Sequence, residues 1–287
     1  MKAIKVYDQV NKVDPQKNFG ISRMEDIYAK NGGKPDTPHR HDYFTILLVK
    51  QAKGEHVIDF HSFDLLGNQV YFIRPGQVHQ VIEHEQSFGF SMVFSQQFLA
   101  ENNISQRFIE DVSLFNNYGE TPPIHLEKEQ VKRLGEYCEE MMGYDKSSEK
   151  FKGQAIGAYL KLFLIYSNNL CQLSKNPQTV ESGNTILRAF KALVEEHYKE
   201  WHSTSQYAEA LHITPDHLNR TIKSLIGKTA KEYLQSRINT EAKRMLYFSD
   251  LSNKEVGFTL GFSEASHFSA FFKKCTGESP SAYRKKH

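Results

Sequence analysis

The chain has 287 residues, 39% hydrophobic and 24% charged, with a formal net charge of +2. That balance is globular, and the length suits two domains of roughly 150 residues, each able to bury its own core. No run approaches the roughly 18 to 20 apolar residues of a membrane span, and Met1-Lys2-Ala3-Ile4-Lys5 leads straight into polar residues without the apolar segment of a secretion signal, so a soluble, cytoplasmic protein with no membrane partner is expected.

In chain order, the first signal is β. Between 43 and 94 the residues are β-branched and aromatic in short runs: Phe44-Thr45-Ile46-Leu47-Leu48-Val49, His56-Val57-Ile58-Asp59-Phe60, Val70-Tyr71-Phe72-Ile73 and Phe88-Gly89-Phe90-Ser91-Met92-Val93-Phe94. Several short strands with no helix between them predict an antiparallel sandwich or barrel. Two helical periods follow. Residues 126–142 place Leu126, Val131, Leu134, Tyr137, Cys138, Met141 and Met142 on one stripe, and 151–173 do so with Ala155, Ile156, Tyr159, Leu160, Phe163 and Leu164. The pair reads as a helical hairpin, packed on the barrel or offering a leftover apolar face for dimerisation. Residues 174–183, Ser-Lys-Asn-Pro-Gln-Thr-Val-Glu-Ser-Gly, read as a linker. Cys138, Cys171 and Cys275 are widely spaced and odd in number, which predicts reduced thiols rather than disulfides or a cysteine zinc site.

From 184 onward the apolar period stays near 3.6. Asn184 is placed to cap a helix carrying Ile186, Leu187, Phe190, Leu193, Val194 and Tyr198, and one of Ser203, Thr204 and Ser205 to cap a short helix ending near Leu211. Thr214-Pro215 opens a helix that Gly227 stops. Thr229 opens a longer one, with Ala230, Tyr233, Leu234, Ile238, Ala242, Met245 and Leu246 along one stripe. Ser252 or Asn253 starts the next, Gly261 breaks it, and 263–274 forms another, ended by Gly277 before a last short helix from Pro280.

Within this region the chain repeats itself. Leu218, Ile222, Lys223, Gly227, Ala230 and Tyr233 return 50 residues later as Phe268, Phe272, Lys273, Gly277, Pro280 and Tyr283. Upstream the offset is 49, with Ala208, Leu211 and Ile213 against Gly257, Leu260 and Phe262, so the second copy has gained one residue in its turn. Residues 185–287 carry 16 Lys and Arg against 11 Asp and Glu, while 1–184 carry 20 against 23, which places any polyanion-binding surface in the C-terminal third. A duplicated helix-turn-helix with that charge predicts contact with double-stranded DNA at two places. With Leu218 and Ile222 facing inward, Asp216, Asn219 and Arg220 project outward as candidate base readers, Asn and Arg being suited to bidentate contacts with adenine and guanine. In the second copy the candidates are Ser266, His267 and Ser269; Ala270 replaces the arginine, so weaker discrimination is expected there. Lys223, Lys273, Lys274 and the terminal Arg284-Lys285-Lys286 are phosphate candidates.

Gly261-Phe262-Ser263, His267-Phe268-Ser269, Phe271-Phe272-Lys273-Lys274, Gly277-Glu278-Ser279-Pro280 and Tyr283-Arg284 resemble the signature of AraC/XylS-type transcriptional regulators. The resemblance implies two helix-turn-helix units joined by one rigid helix over about 229–247, their recognition helices addressing successive major grooves on one DNA face. Gly257 and Ala270 depart from the family's usual Ala and Arg, which implies a softer, less discriminating second unit. Pro38-His39-Arg40-His41-Asp42-Tyr43-Phe44, Ile58-Asp59-Phe60 and 72–79 resemble the family's cupin-like effector domain. A metal-binding cupin would use His39 and His41, an acid three or four positions beyond, and His79. Thr45 and Ile46 stand where that acid should be; three histidines alone can still hold a metal, but hydrogen-bonded histidines lining a pocket, with no metal or other cofactor, are the expectation. His39, His41, Tyr43, Arg74 and His79 are then the polar candidates around a small-molecule effector, Arg74 being equally able to pair with Asp42 or Asp59.

The expected protein is an α+β regulator and not an enzyme: a cupin-like barrel over 1–125, a helical hairpin over 126–173, a linker, and an all-α DNA-binding domain of seven helices over 184–287. A homodimer, and RNA polymerase as partner of an activator, are implied by the resemblance. The alternative reading is a metal-dependent cupin enzyme with a helical binding appendage, and a third is a regulator whose barrel takes no ligand.

Overall fold

Every side chain from Phe44 to Val49 is buried, which a strand achieves only when both of its faces are covered. The computed structural model shows what covers them. Phe44, Ile46 and Leu48 pack with Phe90, Met92 and Phe94 against helices, whereas Leu47 and Val49 turn the other way and join Ile58, Leu65, Tyr71 and Ile73. The residues described are all but 1–4, 9, 11–13, 15–16, 36, 60, 113, 116–122, 171–179 and 287, with backbone alone for 180–184 and 286.

The chain divides into two units, Ile4–Cys171 and Gln172–His287. The first runs β1 (Lys5–Tyr7), β2 (Phe19–Arg23), α1 (Met24–Lys30), β3 (His39–His41), β4 (Phe44–Ile58), β5 (His61–Leu65), β6 (Gln69–Ile73), β7 (Val78–Phe94), α2 (Gln96–Glu101), α3 (Gln106–Asp111), β8 (Ile124–His125), α4 (Lys128–Lys146) and α5 (Lys152–Leu170). The strand order is β1-β3-β7-β4-β6-β8, with β2 also on β7 and β5 also on β4. All ladders are antiparallel except β1 against β3.

In place of the short strands expected from the sequence, β4 has 15 residues and β7 has 17. Their polar middles, Lys50 to Glu55 and Glu83 to Ser87, read like turns but are bends: the β4–β7 register shifts between Val49, Gln51, Lys53 and Gly54. Such bulges bend the two long strands within the one eight-stranded sheet. The C-terminal half of β7 pairs with β2 and the first half of β4, while its N-terminal half pairs with β3 and the second half of β4. Phe60, at the end of one expected strand, lies outside the described residues.

The expected hairpin is α4 and α5. Leu134, Cys138 and Met141 from α4, with Leu160, Phe163 and Leu164 from α5, complete the Phe44-to-Phe94 core. On the far side, α5 exposes Leu162 (48%) and Ile165 (40%).

The second unit runs α6 (Val180–His197), α7 (Thr204–Ala210), α8 (Pro215–Ile226), α9 (Ala230–Phe248), α10 (Asn253–Thr259), α11 (Ala265–Thr276) and α12 (Pro280–Lys286), seven helices among the described residues. α6 starts at Val180, so Val180 to Gly183 open a helix rather than close a linker, and Asn184 lies inside it; 174–179 fall outside the described residues. The starts of α7, α8, α9 and α10 follow the caps, whereas α11 begins after Glu264 without a side-chain cap. Ser203 with Gln206, Thr229 with Glu232 and Ser252 with Glu255 form reciprocal capping boxes, each satisfying two amides that a helix N-terminus would otherwise leave open. Thr214 caps α8 from its hydroxyl, ahead of Pro215, and Gly227 and Gly277 end α8 and α11 in the left-handed conformation. α9 buries Tyr233, Leu234, Ile238, Ala242 and Leu246. It also buries Arg237, whose guanidinium meets Glu195 at 3.3 Å and Glu241 at 3.0 Å and lies 3.8 Å over the Tyr198 ring. A buried arginine so paired has its charge compensated, and it clamps α9 to α6.

Candidate nucleic-acid interface

Two helices meet at each reading site, and the repeat in the sequence is a repeat in space. From Asp216 to Tyr233 and from Ser266 to Tyr283 the order of buried, half-buried and exposed positions is the same. Leu218 and Ile222 in α8, and Phe268 and Phe272 in α11, are wholly buried and fix each recognition helix against its unit. The turns repeat at the offset of 49. His212 (φ 54°) and Gly261 (φ 82°) take the left-handed conformation, and the amides of Ile213 and Phe262 donate to the carbonyls of Ala208 and Gly257, both at 3.0 Å. The gained residue therefore lies after the left-handed position, between Gly261 and Glu264.

On the outward face of α8, Asp216, His217, Arg220, Lys223 and Ser224 are exposed. Arg220 has no hydrogen bond or ion pair among the described residues, the state a groove-reading guanidinium needs. Asn219 is only half-buried, and its Oδ1 is shielded from solvent with no partner among the described residues. The matching face of α11 exposes Ser266, His267, Ala270, Lys273 and Lys274. Ser269, matching Asn219, is half-buried and its hydroxyl donates to the Ala265 carbonyl at 2.9 Å; the Ser266 hydroxyl donates to Glu264 at 3.0 Å. Arg284 donates to the Leu251 carbonyl at 2.6 Å, tying α12 to the loop before α10. His217 escaped the sequence reading. The 50-residue offset already aligned it with His267 and was the signal that could have found it.

The second turn is braced from outside. His202, in the loop between α6 and α7, donates Nε2–H to the Leu260 carbonyl at 2.8 Å, and a Cβ on Gly261 would overlap the Lys199 carbonyl. At Gly257 a Cβ would come 3.0 Å from the Cβ of Phe268. The nearest atoms are the Cβ and Cγ of Phe268, which a leucine also has, so the crowding reflects how closely α10 and α11 approach there.

In the first unit, His39, His41, Tyr43 and His79 come together. His39 and His41 share one face of β3 with exposed Arg40 between them, and His39 stands opposite His79 across the β3–β7 ladder. His41 Nε2 lies 2.9 Å from His79 Nε2, the Tyr43 ring is 4.5 Å from that of His41, and Tyr7 stacks on His41 at 5.4 Å. His56, which the sequence reading passed over, completes the group with Nε2 3.1 Å from His79 Nδ1; only the bulged register of β4 brings it there. His39 Nδ1–H donates to the Thr37 carbonyl at 2.8 Å. Burial, with His39 nearby, holds His41 and His56 down to about 3, and burial among the other three rings holds His79 well below its ordinary value, so these three rings are neutral at pH 7. Arg74 lies half-buried in the turn before β7, where Gly76 donates to the His41 carbonyl. Asp59 accepts from Gln77 and from the Val78 amide. A separate cleft of about 490 Å³ beside α2 and the α4–α5 turn holds the Lys17–Asp145 ion pair (2.8 Å) and Lys152.

Comparison with known proteins agrees with both halves. Residues 32–132 match the model of an AraC-like ligand-binding domain, and residues 207–286 that of a helix-turn-helix domain. The chain is 26% identical over 259 residues to the HTH-type transcriptional activator RhaS of Pectobacterium carotovorum subsp. carotovorum (strain PC1), covering 88% of this chain and 90% of that protein. With RhaS of Escherichia coli O81 (strain ED1a) the figures are 23% over 247 residues, 84% and 85%. A solved structure of ToxT from Vibrio cholerae aligns over 94% of this chain and 98% of that one, at 12% identity and a TM-score of 0.43, too loose a likeness to add to the assignment. With a ligand-binding domain of one kind and a tandem helix-turn-helix of the matching kind, the chain belongs to the AraC/XylS family of effector-controlled, DNA-binding transcription regulators.

Proposed function

We propose that this regulator is a cytoplasmic activator that reads its promoter chiefly through α8 and holds its register through α11. The observation that carries this reading is the repeated surface with unequal chemistry: Arg220 exposed on one recognition helix, Ala270 at the matching position of the other. A guanidinium can pair with the O6 and N7 of guanine; a methyl group cannot. His217 joins Arg220 and Asp216 as a base-reading candidate. Asn219 reads a base only if its amide turns outward, and Ser269 only if its hydroxyl leaves the Ala265 carbonyl. Lys223, Lys273, Lys274 and, beyond its tie to Leu251, Arg284 supply charge to the phosphates.

Activation is inferred from the RhaS relatives, which are named transcriptional activators, and it makes RNA polymerase a partner. The exposed stripe of α5 around Leu162 and Ile165 is the surface proposed for a homodimer. Catalysis is not part of the proposal.

The test is Arg220→Ala, measured by fluorescence anisotropy on a site selected from random oligonucleotides and on random duplex. Loss of one bidentate contact should weaken the selected site by about 1–3 kcal/mol and leave random DNA nearly unchanged. An equal loss on both would make Arg220 a phosphate contact and remove α8 as the discriminating element.

A further inference from the structure

We infer that the effector unit takes one divalent late first-row transition ion, of the zinc and cobalt class, at His39, His41 and His79. This rests on the reading of that unit as the one that senses a ligand, and it names the ligand.

Thr45 and Ile46 stand where a metal-binding cupin has an acid, but a carboxylate is not required where imidazoles converge. The three rings offer ligand atoms that all lie within 4.8 Å of one another. Zinc–nitrogen bonds of about 2.0–2.1 Å set tetrahedral ligand atoms roughly 3.3 Å apart, so the His41–His79 pair, at 2.9 Å, has to open by a few tenths of an ångström and the wider pairs, within 4.8 Å, to close by up to about 1.5 Å. The rings come from two adjacent strands in fixed register, which positions them without a loop.

The surroundings fit as well. A ligating histidine commonly donates its second ring N–H to a carbonyl or a neighbouring side chain, and this selects the nitrogen that faces the ion. His39 does so through Thr37, leaving Nε2 as its basic nitrogen, and His79 has His56 on Nδ1. His41 can enter through either nitrogen, since its Nδ1 is buried and has no partner among the described residues. An all-imidazole set favours zinc, cobalt, nickel or copper over calcium and magnesium, which take oxygen. Three protein ligands also leave a fourth position for water or an anion.

The test uses the full chain stripped with a chelator, then titrated with Co2+ and with buffered Zn2+. Expected are one ion per chain, a visible Co2+ absorption band of low-coordinate nitrogen ligation, and a change of at least 10-fold in affinity for the selected DNA site when Zn2+ is added. His39→Gln, His41→Gln and His79→Gln should each weaken ion binding by 10-fold or more, in line with the roughly 10- to 100-fold effects seen even for residues that only support a ligand. X-ray absorption at the cobalt edge of the unaltered protein, showing three imidazoles, gives the answer should the variants fail to fold. Absence of a bound ion in the folded chain overturns the inference, as does binding that survives all three substitutions. An ion that binds but leaves DNA affinity unchanged overturns its role as effector. Failure of the unaltered chain to prefer any DNA sequence would instead strike the regulator reading.

Discussion

Arg220 and Ala270 occupy equivalent places on two equivalent helices, and their difference is the plainest functional statement the chain makes. One helix can discriminate by hydrogen bonding at that position and the other cannot, so most of the discrimination lost on mutation should trace to the first half-site. The buried histidines give a second residue-scale expectation. His41 and His56 titrate in the folded protein near 3, against an ordinary value of 6.5, and His79 lies below its ordinary value too. Below about pH 6.5 the unfolded chain therefore binds protons that the folded chain refuses, and the stability present above that pH drains away as pH falls, by up to about 1.4 kcal/mol per pH unit for each histidine. Calorimetric melting of the metal-free protein from neutral into acid solution should show this, and His56→Gln should flatten the profile. An unaltered slope in that variant would remove His56 from the account.

Among the elements, α10 and α11 pose a contest of two effects. Gly257→Ala should gain up to about 1 kcal/mol from helix propensity, but the new methyl group would press on Phe268 at 3.0 Å. We expect the gain to be cancelled or reversed, because the nearest atoms, the Cβ and Cγ of Phe268, can give way only if α11 shifts; chemical denaturation of the two proteins measures the difference. If Gly257→Ala alone yields the full gain, Phe268 is not what keeps the glycine. These helices were legible in advance, because caps such as Thr214-Pro215 and stops such as Gly227 are local chemistry and the repeat supplied two independent views of one unit. β4 and β7 were not legible. Their centres are as polar as loops, and the pairing that makes them strands comes from partners far along the chain. His56 was lost with them, since its neighbour His79 is reached only through that bent register. The first turn of α6 was lost to Ser and Gly residues that read as linker, and Cys171 and residues 174–179 lie outside the described residues.

At the scale of the molecule, charge and apolar surface divide the labour. The excess of Lys and Arg lies in the DNA-binding unit, so its affinity for DNA should fall steeply with salt. The effector unit carries the apolar stripe of α5. Leu162→Glu with Ile165→Glu is expected to convert a dimer to a monomer in light scattering while the unit stays folded, because both positions are already wet. A stable interface of this kind needs roughly 800 Å² from each partner, more than two side chains supply, so neighbours along the stripe must contribute. A dimer that survives both charges would move the interface elsewhere.

The brace of His202 and Lys199 against Leu260 and Gly261 carries a mechanical consequence. α9 alone would join the reading helices by a single strut, free to twist about its own axis. A second attachment closes the frame into a truss, so that, on the proposed reading in which both helices meet DNA, the pitch between the two grooves is dictated by the protein. Operators whose half-sites are out of phase must then be bent or wound to fit, and the stiffness of the intervening base pairs, which no side chain touches, becomes part of what is recognised.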